Sequence, residues 1–299
     1  MTQPHKSTID RSFHPPAPVS WLAGGLGRTS PALATRVAEL LFLRPPRFAR
    51  PRREWQWLET AEPVRFRYRD QELPGWSWGQ GPTVLLVHGW AGRGSQLGAF
   101  AEPLARRGFR VVTFDAPGHG AAAGRRSSLP EFAAAVRTVG DQLWPLRGLV
   151  AHSFGAAATL VALSEGLVTD RLVFAAPPAD LSYFTEGFVR LFGFPSAIAR
   201  GLERRLERRF GFDWDDLQPL TLARAGRRPP LLLFHDHDDP EVPFDQATAL
   251  AAVWPGAKLD ATRELGHRGL LRDARVVERA AEFLAQPVAR PVVETVTAR

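Results

Sequence analysis

The sequence predicts an α/β fold: a mostly parallel central sheet with helices on both faces, interrupted by a helical cap insertion. Five short apolar runs, Thr83–Val87, Arg110–Phe114, Leu149–Ala151, Arg171–Ala175 and Leu231–Phe234, have the near-continuous hydrophobicity of strands buried on both faces. Helix-like stretches at Gln96–Arg107, Leu129–Leu143 and Gly155–Glu165 alternate with them, as parallel strands joined by crossover helices require. Some 55 residues separate Ala175 from Leu231, far more than a loop and one helix occupy, so an insertion belongs there.

Taken in chain order, residues 1–60 form an N-terminal extension. Residues 1–30 mix Pro, Ser, His and Gly without period and read as a loosely docked lead-in. From Pro31, apolar Leu33, Val37, Leu40 and Leu41 recur at helical spacing until Pro45-Pro46, which predicts one amphipathic helix packed on the body of the protein. Arginines 44, 47, 50, 52 and 53, followed by Trp55 and Trp57, suggest a nucleic-acid or membrane-surface patch, but three prolines share the span and no nucleic-acid motif accompanies it. A solvated connecting arm is expected, and no nucleic-acid partner.

The core is assigned to residues 61–177 and 228–288. It opens with Val64, Phe66 and Tyr68 alternating with Arg65, Arg67 and Arg69, a strand with one wet face, and Trp76 and Trp78 mark its antiparallel neighbour. The cap is assigned to 178–227. There Leu202, Leu206 and Phe210 lie four apart, while Arg200, Arg204, Arg205, Arg208 and Arg209 with Glu203 and Glu207 make what reads as a solvated helix face. Phe184, Phe188, Leu191 and Phe192, also at helical spacing, are suited to pack the cap or to cover an apolar acyl or aryl group, so Phe184 and Phe188 are candidate substrate-binding residues. Residues 289–299 form a tail.

Composition narrows the classes. With 44% hydrophobic and 23% charged residues the chain can build a real core, and disordered or collagen-like readings are excluded. There is no cysteine, which removes disulfides, thiolate zinc sites and a cysteine nucleophile. No apolar run approaches the roughly 18 residues of a membrane span, so no integral membrane association is expected. The segment Val19–Leu26 makes a poor signal peptide beside His14-Pro15-Pro16, and the default location is cytoplasmic. The net charge of +7 rests on 36 arginines spread along the chain against two lysines, Lys6 and Lys258, which reads as compositional bias.

The chemistry begins at AHSFGA, Ala151–Ala156, where a strand runs through Ser153 into an Ala-rich helical segment. A serine on so sharp a turn adopts a strained backbone, and its neighbours two before and two after must be small; Ala151 and Gly155 qualify. Further on, LLLF leads into HDHDDPEVP, and ELGHRGLL places His267 in a Gly-flanked loop before the last helix. The order is serine, acid, histidine. Together with HGW at 88–90, DAPGHG at 115–120 and GH at 266–267, these segments resemble the α/β-hydrolase fold family over roughly Pro63–Leu284.

The resemblance implies Ser153 as nucleophile, His267 as the base that takes its proton and returns it to the leaving group, and a carboxylate that orients the histidine. The family pattern HGxxDxxVP maps onto His235–Pro243 with Asp239 as the acid, although Asp236 stands at the glycine and Asp238 is adjacent. Asp239 is favoured over Asp238, and Asp180 is a minor alternative. It also implies an oxyanion hole from the backbone N–H groups of Trp90 and Phe154, with the Trp90 side chain shaping the pocket. His88, Asp115 and His119 are expected to brace loops, and His152 to pack beside the serine. The implied activity is hydrolysis of a small-molecule carboxylic ester or thioester through an acyl-enzyme, with no cofactor and no metal; oligomeric state is left open.

Two other classes compete. A non-catalytic binding module of the same fold is one, since fold does not guarantee chemistry. The other is a metal-dependent hydrolase: the HxHxD of His235, His237 and Asp239 resembles the metal-binding segment of metallo-β-lactamase-fold hydrolases, with His267 a further ligand. Gly89–Gly94 has the glycine spacing of a phosphate loop, but Ser95 stands where the lysine is essential. Arg93, Arg125 and Arg126 follow strand ends and suit an anionic substrate group.

Overall fold

The computed structural model describes residues 15–226 and 228–287. In chain order these form α1 (Ala17–Thr29), α2 (Pro31–Phe42), α3 (Arg52–Glu59), β1 (Glu62–Tyr68), β2 (Gln71–Trp78), β3 (Thr83–Val87), a 3-10 turn (Gly94–Phe100), α4 (Ala101–Ala105), β4 (Arg110–Phe114), α5 (Leu129–Gln142), β5 (Leu146–His152) and α6 (Phe154–Ser164). They continue with β6 (Leu172–Ala175), α7 (Ser182–Leu191), α8 (Ala197–Phe210), α9 (Pro219–Ala225), β7 (Leu231–Asp236), α10 (Phe244–Val253), β8 (Lys258–Thr262), α11 (Gly266–Gly269) and α12 (Ala274–Ala285). The chain divides into two compact units: Met1–Phe42 with Ser182–Phe212, and Leu43–Leu181 with Asp213–Arg299.

In the second unit eight strands form one sheet in the order β1-β2-β4-β3-β5-β6-β7-β8. The β1/β2 and β2/β4 pairs are antiparallel and the rest parallel; the mostly parallel sheet and the antiparallel first pair are as the sequence predicts. The apolar runs divide by parity. Leu85, Phe114, Leu149, Phe174 and Leu233 join Phe132 and Trp254 on one face, while Leu86, Val111, Val150, Val173 and Leu232 join Phe100 and Phe283 on the other. Because strand side chains alternate, a run apolar at every position feeds two cores at once. β1 obeys the half-wet pattern: Phe66 and Tyr68 are buried and Arg65 and Arg67 exposed.

β8 is absent from the sequence-based elements for a physical reason. As the outermost strand it pairs with β7 alone, and KLDAT has no apolar run to betray it.

The first unit holds α1, α2, α7 and α8. Its core joins Ala23, Ala34 and Ala38 to Val189, Phe192, Phe194, Ile198 and Ala199. The lead-in reading of residues 15–30 is corrected here, since α1 is a helix; residues 1–14 lie outside the described residues. No hydrophobic period announces α1 because its inward face is small. Ala23, Gly24 and Gly27 are buried, and a Cβ on Gly27 would come within 2.3 Å of Pro195 Cδ, while Trp21 and Leu22 are 85% and 74% exposed.

Two further expectations are corrected. The charged side of α8 is not wholly solvated: Arg205 and Arg209 both pair with Glu39 of α2, whose side chain is buried. The arm after Pro45-Pro46 is exposed at residues 47–49, as a solvated arm would be, but it is anchored as well. Arg47 donates to the carbonyls of Gly118, Ala122 and Gly124, and Arg50 pairs with buried Asp115 at 2.8 Å. The unit boundaries move accordingly: residues 43–60 belong with the sheet, and so does α9, whose Ala223 and Leu222 pack in the first-face core. The 289–299 tail lies outside the described residues.

Candidate active site

β5 carries the chain to His152, and α6 begins at Phe154, leaving Ser153 alone to make the turn with φ 52° and ψ −124°. Such a conformation in a non-glycine residue costs about 1–3 kcal/mol and persists only where the surroundings fix it. Here the Ser153 N–H donates to Ala175 O at 2.8 Å and the Ser153 carbonyl accepts from Ala156 N at 2.8 Å. Gly155 has no room for a side chain: a Cβ would sit 2.3 Å from His88 O and 3.0 Å from Val87 O. Ala151, two residues before the serine, is fully buried.

The acid and the histidine arrive from the ends of β7 and β8. In the loop after β7, Asp239 Oδ1 accepts the amides of Glu241 and Val242 at 2.8 and 2.9 Å, which aims Oδ2 at His267 Nδ1, 2.8 Å away. His235 Nε2 donates to Val242 O at 2.8 Å and lies 3.5 Å from the same Oδ2. Burial by itself would raise the Asp239 carboxyl. The hydrogen bonds from His235 and His267, the His267 charge and the Val242 amide outweigh it and hold the group well below the usual carboxylate range. A charged Asp239 accepting from Nδ1–H leaves Nε2 of His267 as the basic nitrogen.

The rival carboxylates are employed elsewhere. Asp238 is exposed and accepts the Glu264 amide at 3.0 Å. Asp180 is exposed beyond β6. Asp236, at the pattern's glycine, is buried and accepts from Asp238 N, the Thr262 hydroxyl and Leu265 N, so it ties the β7 loop to the segment bearing His267. Burial opposes its ionisation, but those donors prevail and its pKa is lowered.

His152 links the two sides of the site. Its Nε2 donates to His267 O at 3.0 Å and its ring lies 4.7 Å from the His267 ring. Burial, then the neighbouring His267, keeps His152 neutral. Ser153 thus sits one residue beyond an imidazole that touches the histidine of the Asp239 pair. Glu241, which sequence reasoning missed, has Oε2 3.9 Å from His267 Nε2 and is paired to Arg268 at 2.8 Å.

Opposite, β3 ends at Val87 and its following loop carries Trp90. His88 Nδ1–H donates to Gly89 O at 2.7 Å and its Nε2 accepts Ala116 N at 3.0 Å; burial holds it neutral. The Trp90 ring meets Phe154 at 5.0 Å and His119 at 5.1 Å, both edge-on. Phe154 opens α6, and first-turn amides point out of a helix N-terminus. Asp115 braces this region as expected, accepting Gly94 N and Ala121 N. Arg93 is corrected: it is buried, and its guanidinium forms a two-bond pair with Glu54 at 2.6 and 2.7 Å, so it is committed to structure and not to a substrate anion. Arg125 and Arg126 are exposed.

The other candidates fall as follows. His235 is committed to Val242 and Asp239, His237 is exposed and stacked on Phe244 at 3.8 Å, and among the described residues no three His, Asp or Glu side chains are disposed to hold a metal. In the first unit Phe188 packs edge-on against Phe42 at 5.2 Å and beside Phe192 at 4.6 Å, and Phe184 lies against Tyr183. An open cleft of about 870 Å³ beside β8 is lined by His237, Asp260, Arg263, Glu264 and Arg279, and by none of Ser153, Asp239 or His267. No helix among the described residues is long and apolar enough to cross a membrane.

A family model described as alpha/beta hydrolase family matches residues 84–280. A pimeloyl-[acyl-carrier protein] methyl ester esterase of Chromobacterium violaceum is 37% identical over 111 residues, 31% of this chain and 41% of that protein, so the chain spans well under half of its length. Among solved structures, the Pyrococcus furiosus esterase Pf2001 superposes with a TM-score of 0.60 at 20% identity, over 81% of this chain and 98% of that one. The thioesterase domain of the curacin biosynthetic pathway gives 0.57 at 18% identity, over 76% and 99%.

Proposed function

Because the chain belongs to the alpha/beta hydrolase family, we propose that it hydrolyses a carboxylic ester or thioester of a small to medium acyl group through an acyl-enzyme on Ser153. The carrying observation is the strained serine turn at the end of β5, one residue beyond His152, whose ring packs on a histidine with its Nδ1 2.8 Å from a buried carboxylate. The esterases and the thioesterase that resemble the chain support the same bond type.

Ser153 Oγ attacks the acyl carbon while His267 Nε2 takes its proton, and Asp239 stabilises the imidazolium without accepting that proton. The backbone amides of Trp90 and Phe154 receive the developing oxyanion. Collapse of the tetrahedral intermediate breaks the bond to the leaving oxygen or sulfur, which takes the proton back from Nε2. Water, deprotonated by the same nitrogen, then attacks the acyl-enzyme and releases the acid and free Ser153.

The test is intact-mass analysis after treatment with a fluorophosphonate, with peptide mapping and Ser153→Ala as control. One adduct on Ser153, with turnover in an ester and thioester panel, is expected. A wild-type protein that takes no adduct and turns over no ester would sink the reading.

A further inference from the structure

Residues 44–59 precede the matched family region, yet they make an extended set of buried polar contacts in the second unit. Glu54, on α3, accepts both Arg93 bonds and also the Ser95 hydroxyl at 2.6 Å. Both side chains of the pair are nearly inaccessible, 6% and 4% exposed. The Arg93 guanidinium further donates to Phe48 O and Ala49 O of the arm itself. Arg50, stacked 4.6 Å over Trp76, holds Asp115, which in turn accepts Gly94 N.

All these contacts converge on one loop. The segment His88–Gly94 is pinned at its start by the Ala116 N–H to His88 bond and at its end by Arg93 and Gly94. Between them Ala91 sits at φ 55°, a conformation that non-glycine residues hold only when both flanks are fixed. Trp90 is the residue before it. A two-bond guanidinium–carboxylate pair fixes orientation as well as distance, which suits a loop whose amide must meet an oxyanion within a few tenths of an ångström.

We propose that Glu54 and Arg93 are positioning residues: the N-terminal arm sets the oxyanion loop through them and so belongs to the catalytic apparatus. The proposal rests on the hydrolase reading above. Transition-state stabilisation should then depend on the pair while ground-state binding does not.

The experiment compares wild type with Glu54→Gln/Arg93→Gln, which removes both charges and leaves none buried alone, and with Arg93→Lys, which keeps the charge but loses the fork. For a p-nitrophenyl ester, the double variant should lose about 100-fold in kcat with KM within about twofold. The inhibition constant of a trifluoromethyl ketone, whose adduct on serine carries an oxyanion, should weaken in proportion to kcat/KM. Arg93→Lys should show the same parallel losses, smaller in size, and serves if the double variant does not fold. Folded variants with wild-type kcat and wild-type ketone inhibition would overturn the proposal while leaving the hydrolase reading intact. An inactive, unlabelled wild type would overturn both.

Discussion

Asp239→Asn isolates the orienting carboxylate with little change of shape. In the wild type Oδ1 is held by the Glu241 and Val242 amides and Oδ2 faces His267 Nδ1 and His235 Nε2. Asparagine has one acceptor oxygen, and two backbone donors already claim it. Its NH₂ must then face His267, where a donor meets a donor, and the imidazole is driven to carry its proton on Nε2. That tautomer cannot take the Ser153 proton. The expected loss in kcat is about 10⁴-fold, or about 5.5 kcal/mol of transition-state stabilisation. Stability should fall by about 1.5–3 kcal/mol at neutral pH for one charge-assisted hydrogen bond. Because the folded carboxyl lies below its unfolded value, that contribution is complete above the unfolded pKa and disappears as pH falls through the folded one, so the two proteins should converge in acid. Steady-state kinetics with a p-nitrophenyl ester measures the first, and urea melts from pH 7 downward measure the second, the gap between the two proteins beginning to narrow below about pH 4. A variant within tenfold of wild-type kcat would refute the tautomer argument.

Ser153→Ala should abolish both turnover and fluorophosphonate labelling with a melting temperature close to wild type, since alanine meets the same backbone strain; residual wild-type-like turnover would reassign the nucleophile. Asp238→Asn should leave turnover near wild type, because its carboxylate serves the Glu264 amide, and a loss comparable to Asp239→Asn would reverse the choice of acid. Gly155→Ala drives a methyl to 2.3 Å from a backbone carbonyl, so it should destabilise by about 1–3 kcal/mol and spoil the serine turn, read as loss of labelling in the folded fraction. Burial lowers His119 to about 4, against about 6.5 when unfolded, so stability should decline below pH 6.5 by about 2 kcal/mol at pH 5 and about 3 kcal/mol once pH passes 4. His88 and His152 are shifted the same way and add to the slope; His119→Phe should flatten the profile, and an unchanged one would contradict the burial argument.

Much of the architecture was legible because its signals are local. β3 and β4 coincide with TVLLV and RVVTF, since a strand covered on both faces must be apolar at every position. The serine turn was legible for the same kind of reason: Gly155 is required by backbone crowding two residues on, and small neighbours mark the place. By contrast α1 hid behind inward-facing glycines and an outward Trp21-Leu22, and β8 behind its edge position. The arginines of residues 44–53 look alike in the sequence, and nothing local tells that Arg47 reaches three loop carbonyls and Arg50 reaches Asp115.

The sequence by itself determined the buried strands of the sheet, the order serine–acid–histidine and the turn that strains Ser153, because periodicity and backbone sterics act within a few residues. Only the tertiary structure decided which carboxylate meets His267, where 28 residues of chain separate Asp239 from its partner. It alone showed that Arg93 is engaged 39 residues away by Glu54 and that the arm is docked. Such choices depend on which surfaces meet after folding, where buried charge must find its counter-charge or raise the energy of the whole fold.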